Sequence, residues 1–347
     1  MKARKKYFFI RVCADSGLNY GMGHVVRTVR ILNSILKYNK KKFRIVFIIN
    51  DNAICENYIK QNLSSKKKIK IIKLKNISQI DDFKHTIESD SILYVDNLGK
   101  DTKLINCFKK KGVSKFISLD DVINKLTSKS LIINSIYCLK KKLLKKNYPK
   151  NIKINQSLKF LTLKSEFYKP LPKIKKIERI KKVTICTGGA DYFNLTETIL
   201  RKIKFNKQIK INLIIGEANF NFKKKYQNRL NFKNIRIIKK KNNIRKYLVD
   251  ANLVICTGGT MMFEALTCKK LTAVIKNYDH QKYAIKYFDK KNCIFNLGER
   301  KKIKINLINK LFSESYENLR PILKNIPNEL DGSGSLRVIR LIKGFIK

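Results

Sequence analysis

The sequence predicts an α/β protein made of two doubly wound halves, each a parallel sheet with helices on both faces. Its 347 residues suit two domains, and short apolar, β-branched runs alternate with helical stretches in each half. In the first half the predicted strands are residues 7–12, 43–49, 69–74, 91–95, 115–119 and 130–133. Their near-continuous apolar character is typical of parallel strands that are buried on both faces.

The same pattern restarts after a break that contains two of the five prolines, Pro170 and Pro172. Before the break, apolar residues recur at helical spacing over 23–38, which predicts a helix directly after the first strand. After it, the predicted strands are residues 183–186, 210–215, 234–238, 253–256 and 272–275. We therefore expect an N-terminal domain over 1–168, a linker over 169–182, a second domain over 183–332 and an amphipathic C-terminal helix over 333–347.

The net charge of +53 is carried by 78 basic residues, of which only 14 are Arg. A polyanion binder would use such a charge to neutralise phosphates. Proteins that read nucleic acids favour Arg, however, and the lysines are spread along the whole chain. We interpret the charge as compositional bias, with no specific nucleic-acid partner and a weak attraction to anionic membrane surfaces as its physical consequence.

No apolar run approaches the roughly 18–20 residues that a membrane span needs, and no segment resembles a signal peptide. These features favour a cytoplasmic protein. The eight cysteines include no C-x-x-C pair, and the chain has only three histidines. We therefore predict no metal site and reduced thiols.

Two segments of the second half repeat one chemistry, a β-branched strand followed by Cys-Thr-Gly-Gly. The turns contain Gly188 and Gly189 in the first copy, and Gly258, Gly259 and Thr260 in the second. Ligands bind at the carboxyl ends of strands in doubly wound sheets, and a helix that starts there offers free N–H groups to an anion. The repeat favours a diphosphate site, and the alternative is a pair of tight turns without a ligand.

The loop after the first strand reads Asp15-Ser-Gly-Leu-Asn-Tyr-Gly-Met-Gly-His24 and leads into the first helix. Gly21 and Gly23 allow a ligand to approach the backbone closely. His24 falls in the first helical turn, where the positive helix end favours a neutral imidazole that can act as a general base. The alternative is a buried or helix-capping histidine. The loop is not a dinucleotide fingerprint, because Val26 stands where a third glycine is required.

The run from Asp15 to Arg27 closely resembles the opening motif of the UDP-2,4-diacetamido-2,4,6-trideoxy-β-L-altropyranose hydrolases and of related spore-coat polysaccharide biosynthesis proteins. That hydrolase family supplies a precursor of pseudaminic acid and is similar to GT-B glycosyltransferases. The resemblance continues at 94–96, 117–121 and 160–167, at the two Gly-Gly turns, and at 331–335. It implies a GT-B-like fold with a cleft between the two domains, and a C-terminal helix that packs back on the N-terminal domain. A membrane-surface role is the alternative for that helix.

The resemblance also assigns roles by position. It implies catalysis by His24 and Asp15, with His24 positioning or activating the attacking water. Substrate-binding residues are implied in the N-terminal domain at Gly21, Gly23, Arg27 and Asp96, and in the second domain at Gly188, Gly189, Gly258, Gly259, Thr260, Glu264, His280 and Gln281. In the second domain the glycine turns would hold the diphosphate, Glu264 the ribose, and His280 with Gln281 the sugar. A helix-stabilising carboxylate and a loop histidine without a role remain the alternatives for Glu264 and His280.

The sequence departs from the hydrolase pattern on the sugar side, at Asn97, Leu98 and Asn134–Ile136. The main hypothesis is a hydrolase of a UDP-linked amino or deoxy sugar that requires no cofactor and no metal, with UDP as the leaving group. The alternative is a GT-B glycosyltransferase with a UDP-sugar donor and a sugar or lipid-linked acceptor. A non-enzymatic polyanion binder is the third hypothesis. The sugar and the oligomeric state stay open.

Overall fold

The computed structural model describes residues 6–12, 22–39, 43–64, 69–75, 77–96, 101–120, 130–135, 154–172, 177–188, 191, 193–204, 208–216, 234–239 and 243–347. The chain divides into two compact units. One contains residues 1–162 together with 333–347, and the other contains residues 163–332. We call them the N-terminal unit and the C-terminal unit.

The N-terminal unit contains a seven-stranded sheet in the order β3-β2-β1-β4-β5-β6-β7, in which every neighbouring pair is parallel. Its strands are β1 Lys6–Val12, β2 Phe43–Asn50, β3 Ile69–Leu74, β4 Ile92–Asp96, β5 Lys115–Leu119, β6 Ser130–Asn134 and β7 Ile154–Gln156. Its α-helices are α1 Gly23–Asn39, α2 Ala53–Asn62, α3 Thr102–Lys110 and α10 Gly334–Ile346. Short 3-10 turns cover Ile77–Asp82, Lys84–Thr86 and Leu158–Phe160.

Both faces of this sheet are buried, as expected of a parallel sheet covered by helices. On one face Phe8 and Ile10 of β1 belong to a core that includes Val338 and Ile342 of α10. On the other face Phe9 belongs to a core that includes α3. The alternation of adjacent β1 residues between two cores explains why the strand is apolar at every position, not at every second one.

The C-terminal unit repeats the topology, with a seven-stranded sheet in the order β10-β9-β8-β11-β12-β13-β14. Its strands are β8 Lys182–Cys186, β9 Lys210–Ile215, β10 Ile235–Lys239, β11 Leu253–Thr257, β12 Leu271–Lys276, β13 Phe295–Glu299 and β14 Lys302–Ile303, and only β14 pairs antiparallel. Its α-helices are α4 Leu195–Lys202, α5 Arg245–Asp250, α6 Thr260–Thr267, α7 Lys282–Lys290, α8 Ile305–Ser313 and α9 Tyr316–Leu319. Its 3-10 turns are Ser165–Tyr168, Asp279–Gln281 and Arg320–Asn325.

Two glycines near the C-terminus lie against backbone, each within its own unit. A Cβ on Gly332, which has a φ of +80°, would lie 2.2 Å from the carbonyl oxygen of Phe167. A Cβ on Gly334, at the start of α10, would lie 2.0 Å from that of Leu161. A real Cβ cannot come this close to a backbone oxygen, so both positions require glycine. This accounts for the Asp-Gly-Ser-Gly sequence before α10.

Two buried cysteines lie side by side on the central strands of the C-terminal sheet. Cys186 ends β8 and Cys256 occupies the paired position on β11. Both are free thiols, 2% and 0% exposed. Burial raises the pKa of Cys256 well above its usual value, and the neighbouring Cys186 raises it further.

The prediction of two doubly wound parallel-sheet domains is confirmed. Each of the eleven predicted strands is present within one residue of its expected bounds, and α1 begins where predicted. The sequence prediction omitted β7, β13 and β14. β7 and β14 are only three and two residues long, and the apolar residues of β13 are interrupted by polar residues and Gly298. Among the described residues, no helix is both long enough and apolar enough to cross a membrane.

Candidate functional site

The carboxyl edge of the N-terminal sheet holds a histidine against a buried carboxylate. Asp96 is the last residue of β4, and His24 lies in the first turn of α1. The His24 Nδ1 is 2.6 Å from the Asp96 Oδ1, and the imidazole ring is 14% exposed. We assign the Nδ1 proton to this hydrogen bond, because a carboxylate accepts and does not donate. With the proton placed there, the lone pair of the neutral form of the ring lies on Nε2, which is the arrangement a general base needs.

Arg27, one turn further along α1, connects this pair to a second carboxylate. Its Nε donates to the Asp96 Oδ2 at 2.7 Å, and its Nη1 donates to the Asp120 Oδ2 at 2.6 Å. Its Nη2 donates to the Asp96 Oδ1. Thr28 adds a hydroxyl donor to the Asp96 Oδ2 at 2.9 Å. Both oxygens of Asp96 are therefore fully engaged, and the carboxylate is fixed in position below His24.

The ion network is buried, and its charges stabilise one another. Burial alone would raise the pKa of Asp96, but Arg27 and His24 hold it well below its usual range. Burial alone would lower the pKa of Arg27, but Asp96 and Asp120 hold it above its usual value. The Tyr94 hydroxyl on the same strand as Asp96 stays neutral, because burial raises its pKa well above the ordinary value and the nearby carboxylate adds to this.

Asp120 is held from the other side by the end of β6. Its backbone has a φ of +54°, and its N–H donates to the Ile133 carbonyl at 2.8 Å. The Ser135 N–H and hydroxyl donate to its carboxylate at 2.5 and 2.9 Å. The neighbouring Asn134 is fully buried, and its side-chain amide has no hydrogen-bond partner among the residues that the structure describes. The edge thus contains a continuous polar network over β4, β5 and β6.

A second buried ion pair at this edge was not predicted from the sequence. The Arg11 Nε donates to both oxygens of Asp101 at 3.1 Å, and its guanidinium also donates to the Asn50 side chain at 2.9 Å. Arg11 is 6% exposed and Asp101 is 2% exposed. A charged residue in an otherwise apolar first strand was the available signal. This pair ties the ends of β1 and β2 to the start of α3.

The carboxyl edge of the C-terminal sheet contains the two Gly-Gly turns. After the first turn, the nearby Asp191 side chain binds the N–H groups at the start of the helix. Gly188 has a φ of +127°, which permits the turn. The Asp191 carboxylate then accepts the N–H groups of Leu195 and Thr196, at 2.9 and 3.0 Å, and so caps α4. Burial raises the pKa of Asp191 and outweighs these hydrogen bonds, which lower it. The donors predicted to bind an anion in this turn are therefore already satisfied.

At the second Gly-Gly turn, no side chain that the structure describes caps the helix start. Gly259 is the N-cap of α6 in an extended conformation and makes no side-chain hydrogen bond there. A Cβ on Gly258 would lie 2.6 Å from the Ile285 Cδ1 and 3.2 Å from the Gln281 Cβ, so the turn lies directly on α7 and the residue before it. Among the described residues no side chain accepts the first N–H groups of this eight-residue helix, so they can receive an anion.

Gln281 orients its amide toward this turn. Its Oε1 accepts the N–H groups of Asn277 and Tyr278, at 2.9 and 3.3 Å. These bonds fix the side chain and leave its NH2 group on the side of the amide away from the two donors. A Cβ on Gly259 would lie 3.7 Å from the Gln281 Nε2. The adjacent His280 stacks on Tyr278 with ring centroids 5.6 Å apart. Glu264 in α6 is 5% exposed.

The structure brings the predicted residues together at two edges. His24, Arg27 and Asp96 form one group, with Arg27 and Asp96 buried beneath the histidine and holding it. Gly258, Gly259 and Gln281 form the other, with Thr260 as the first residue of α6. Asp15, Gly21, Gly189, Asn97, Leu98 and Ile136 lie outside the described residues. In the described part of the chain no three His, Cys, Asp or Glu side chains are grouped as metal ligands would be.

Two comparisons of the sequence with known proteins give a match. Residues 182–328 match the glycosyltransferase family 28 C-terminal domain. A curated relative, the uncharacterized protein MJ1062 of Methanocaldococcus jannaschii, is 28% identical over 273 residues, or 74% of this chain. The chain spans about half the length of that relative, 53%.

Solved structures match over nearly the whole chain. Acinetobacter baumannii MurG has a TM-score of 0.59 at 12% identity, and covers 98% of this chain and 99% of its own. S. aureus MnaA with UDP has a TM-score of 0.63 at 11% identity, with 99% and 97% covered. Anabaena HepE with UDP has a TM-score of 0.55 at 10% identity, with 98% and 100% covered. The chain therefore has the two-domain GT-B fold of glycosyltransferase-like proteins.

Proposed function

We propose that the protein is a glycosyltransferase that uses a UDP-linked sugar as its donor. The observation that carries this proposal is the second Gly-Gly turn, where α6 begins without a side-chain cap beside the fixed Gln281 amide. The match of residues 182–328 to the family 28 C-terminal domain supports it, as do the UDP-bound MnaA and HepE among the similar structures. Together these favour a transferase over the hydrolase that the N-terminal motif suggests.

The C-terminal unit would hold the donor. The first N–H groups of α6 would bind the diphosphate, and the helix dipole, roughly +0.5 charge at this end, would stabilise the charge that develops as UDP leaves. Gly258 and Gly259 leave room for phosphate oxygens close to the backbone. Glu264 would accept the ribose hydroxyls, and Gln281 with His280 would contact the sugar. Gly188 would serve the turn and not the phosphate, because Asp191 already occupies the start of α4.

The N-terminal unit would supply the base. His24 Nε2 would take the proton of the acceptor hydroxyl as its oxygen attacks the anomeric carbon and the bond to the diphosphate breaks. Asp96 would stabilise the imidazolium that results, and Arg27 and Asp120 would keep Asp96 ionised and fixed. We therefore propose Arg27 and Asp96 as positioning residues. No metal ion enters this scheme.

A UDP-sugar hydrolase is the second candidate, and the same base supports it. The resemblance from Asp15 to Arg27 favours water as the nucleophile, and the hydrogen bond between His24 and Asp96 would activate water as well as a hydroxyl. The sugar in this case would be of the diacetamido-trideoxy class that the N-terminal motif suggests. The acceptor alone separates the two candidates.

The test is UDP binding followed by UDP release from a panel of UDP-sugars, with and without candidate acceptors. UDP release that requires a sugar or lipid-linked alcohol supports the transferase. Prompt release without any acceptor supports the hydrolase and contradicts the transferase. Absence of UDP binding overturns both.

Two histidine variants make this test specific. His24→Ala should slow release by about 10²- to 10⁴-fold and keep UDP affinity, because the base and the donor site belong to different units. His85→Ala is the matched control, since His85 is an exposed residue of the Lys84–Thr86 turn. Equal loss in both variants would contradict the role of His24.

We also propose a cytoplasmic setting, where UDP-sugars would be available. Six cysteines in the described part of the chain are free thiols, which supports a reducing compartment. The net charge of +53 would add a weak, salt-sensitive attraction to anionic membrane surfaces without making them the specific ligand.

A further inference from the structure

Beside the second Gly-Gly turn, an arginine lies on an aromatic ring. The Arg300 Cζ is 3.5 Å from the centroid of the Phe193 ring, so the guanidinium covers the face of the ring. Phe193 also meets Tyr278 edge to face, with centroids 6.1 Å apart at 63°. We call the contact between Phe193 and Arg300 the Phe193–Arg300 bridge.

The sheet topology fixes where this bridge lies. Phe193 belongs to the loop after β8, whereas Tyr278 follows β12 and Arg300 follows β13. In the sheet, β11 lies between β8 and β12, and β13 follows β12, so Phe193 and Arg300 follow strands that are three spacings apart, about 14 Å. The end of β11 leads into the Gly258–Gly259 turn. Tyr278, which meets Phe193, donates its N–H to the Gln281 Oε1, and Gln281 lies against this turn. The bridge therefore lies beside the start of α6.

Within the part of the chain that the structure describes, the hydrogen-bonding edge of the guanidinium has no partner. Stacking uses the flat face of the group, and the five N–H donors point outward in its plane. Among the described residues, no carboxylate pairs with Arg300. The acidic groups nearest in sequence are used by Lys276, which binds Glu299 at 2.6 Å and Asp279 at 3.2 Å. The Arg300 N–H donates to the Lys276 carbonyl at 3.0 Å, which fixes the backbone beside the end of β12.

We propose that Arg300, held on the Phe193 ring, binds an anionic group of the ligand at the α6 turn. The ligand chemistry is a phosphate or carboxylate that can accept two parallel N–H groups, which a planar guanidinium supplies. The proposal rests on the proposed function for the identity of the ligand as a UDP-sugar. The anion then has two possible sources, the diphosphate itself or a carboxylate on the sugar.

Charge balance supports such a group at this place. The start of α6 offers roughly half a unit charge, whereas a departing UDP carries at least two negative charges. A guanidinium beside the turn supplies positive charge and several N–H donors in one plane. A lysine would supply the charge but not the flat stack on Phe193 or the paired donors.

The test compares wild type with Arg300→Gln, Arg300→Lys and Phe193→Leu by calorimetric titration at about 0.15 M salt, where long-range attraction is screened. The probes are inorganic pyrophosphate, UMP, UDP, UDP-glucose and UDP-glucuronate. Arg320→Gln, which removes an exposed arginine of the same unit, is the matched control for loss of one charge. Thermal melting of each variant checks that it is folded.

Loss of a charge-assisted hydrogen bond predicts binding weakened by about ten- to a hundredfold in Arg300→Gln. If pyrophosphate and UDP weaken in this variant and UMP does not, Arg300 contacts the diphosphate. If only UDP-glucuronate weakens relative to UDP-glucose, Arg300 contacts a sugar carboxylate. Arg300→Lys and Phe193→Leu should each lose part of the affinity, because each removes one half of the bridge.

Equal affinities in Arg300→Gln and Arg320→Gln for all five probes would overturn the inference. The proposed function fails separately. If wild type binds pyrophosphate through Arg300 but does not bind UDP, the anion site stands and the UDP-sugar function does not. If UDP binds and Arg300 has no effect, the function stands and the Arg300 site does not.

Discussion

The two sheets have the same strand order, yet their carboxyl edges carry opposite chemistry. The N-terminal edge contains buried ions, with His24 and Arg27 against Asp96 and Asp120. The C-terminal edge contains glycine turns, amides and rings, and the helix start beside Gly259 has no side-chain cap. Equal topology therefore does not impose equal chemistry. One edge can hold and move a proton, and the other can receive an anion.

The same lesson holds within the C-terminal edge. The two Cys-Thr-Gly-Gly segments are nearly identical in sequence, but only the first is followed by an aspartate that returns to the helix start. Asp191 takes the N–H groups of Leu195 and Thr196 in α4, and no side chain in the described part of the chain does this for α6. A single side chain, two residues after Gly189, therefore makes the helix starts after two nearly identical turns different.

Replacing His24 should have the largest effect and should separate the two edges most sharply. Loss of a general base lowers turnover by about 10²- to 10⁴-fold, so we expect His24→Ala to reduce UDP release by this factor while UDP affinity stays within about twofold of wild type. Steady-state rates and calorimetric affinity measure the two quantities. A variant that loses affinity and keeps turnover would reverse the assignment of the edges.

Breaking the buried ion network around Asp96 should have the largest effect on stability. Asp96→Asn leaves Arg27 and His24 without their shared partner, which costs about 3–5 kcal/mol of the free energy of unfolding. Urea denaturation measures this loss. Asp81→Asn, at a side chain that is 73% exposed, is the control and should change the free energy by less than about 0.5 kcal/mol.

Asp96 also predicts the direction of a pH effect. Its pKa is held below the ordinary value in the folded protein, so it stabilises the fold above about pH 4 and this contribution disappears as the pH falls toward the lowered pKa. The stability of wild type should therefore fall in acid more steeply than that of Asp96→Asn. Equal slopes would contradict the network described here.

Alanine at the two glycine turns should act differently. At Gly258 a Cβ would contact Ile285 at 2.6 Å, so we expect a loss of about 1–3 kcal/mol of stability and weaker UDP binding, because the turn must move. At Gly188 the strain comes from its φ of +127°, which costs about 1–2 kcal/mol, and UDP binding should be unchanged. Paired denaturation and UDP titration test both variants. Weakened UDP binding in Gly188→Ala would place the first turn in the ligand site.

Removing the α4 cap should have the smallest effect. Asp191→Asn loses part of an N-cap, worth about 1 kcal/mol, and leaves UDP affinity unchanged. Because burial raises the pKa of Asp191, wild type gains stability relative to the variant as the pH falls through that raised pKa, opposite in sign to Asp96. Urea midpoints between pH 4 and pH 7 are the measurement, with the exposed Asp250→Asn as control.

The fold follows from the sequence because its strands are buried on both faces and are apolar at every position. The candidate site can be predicted from the sequence only in part. The role of Asp96 as a support for His24 depends on an end-of-strand position beside α1, which no local pattern reveals. Asp120 and Ser135 meet through the pairing of β5 with β6. Asp191 differs from an ordinary loop aspartate only because its carboxylate accepts N–H groups at the start of α4, a contact that depends on the three-dimensional fold.

The thiols of Cys186 and Cys256, which occupy paired positions on β8 and β11, can report on the stability of the carboxyl edge of the C-terminal sheet. Cys186 is the last residue of β8 and Cys256 the last but one of β11, the two strands that lead into the Gly-Gly turns, and both side chains are buried. An alkylating agent can reach them only when the sheet opens, and the high pKa of Cys256 keeps the reaction slow even then. Mass spectrometry of their labelling rate, with and without UDP, therefore measures how much a ligand stabilises this edge, with no engineered probe.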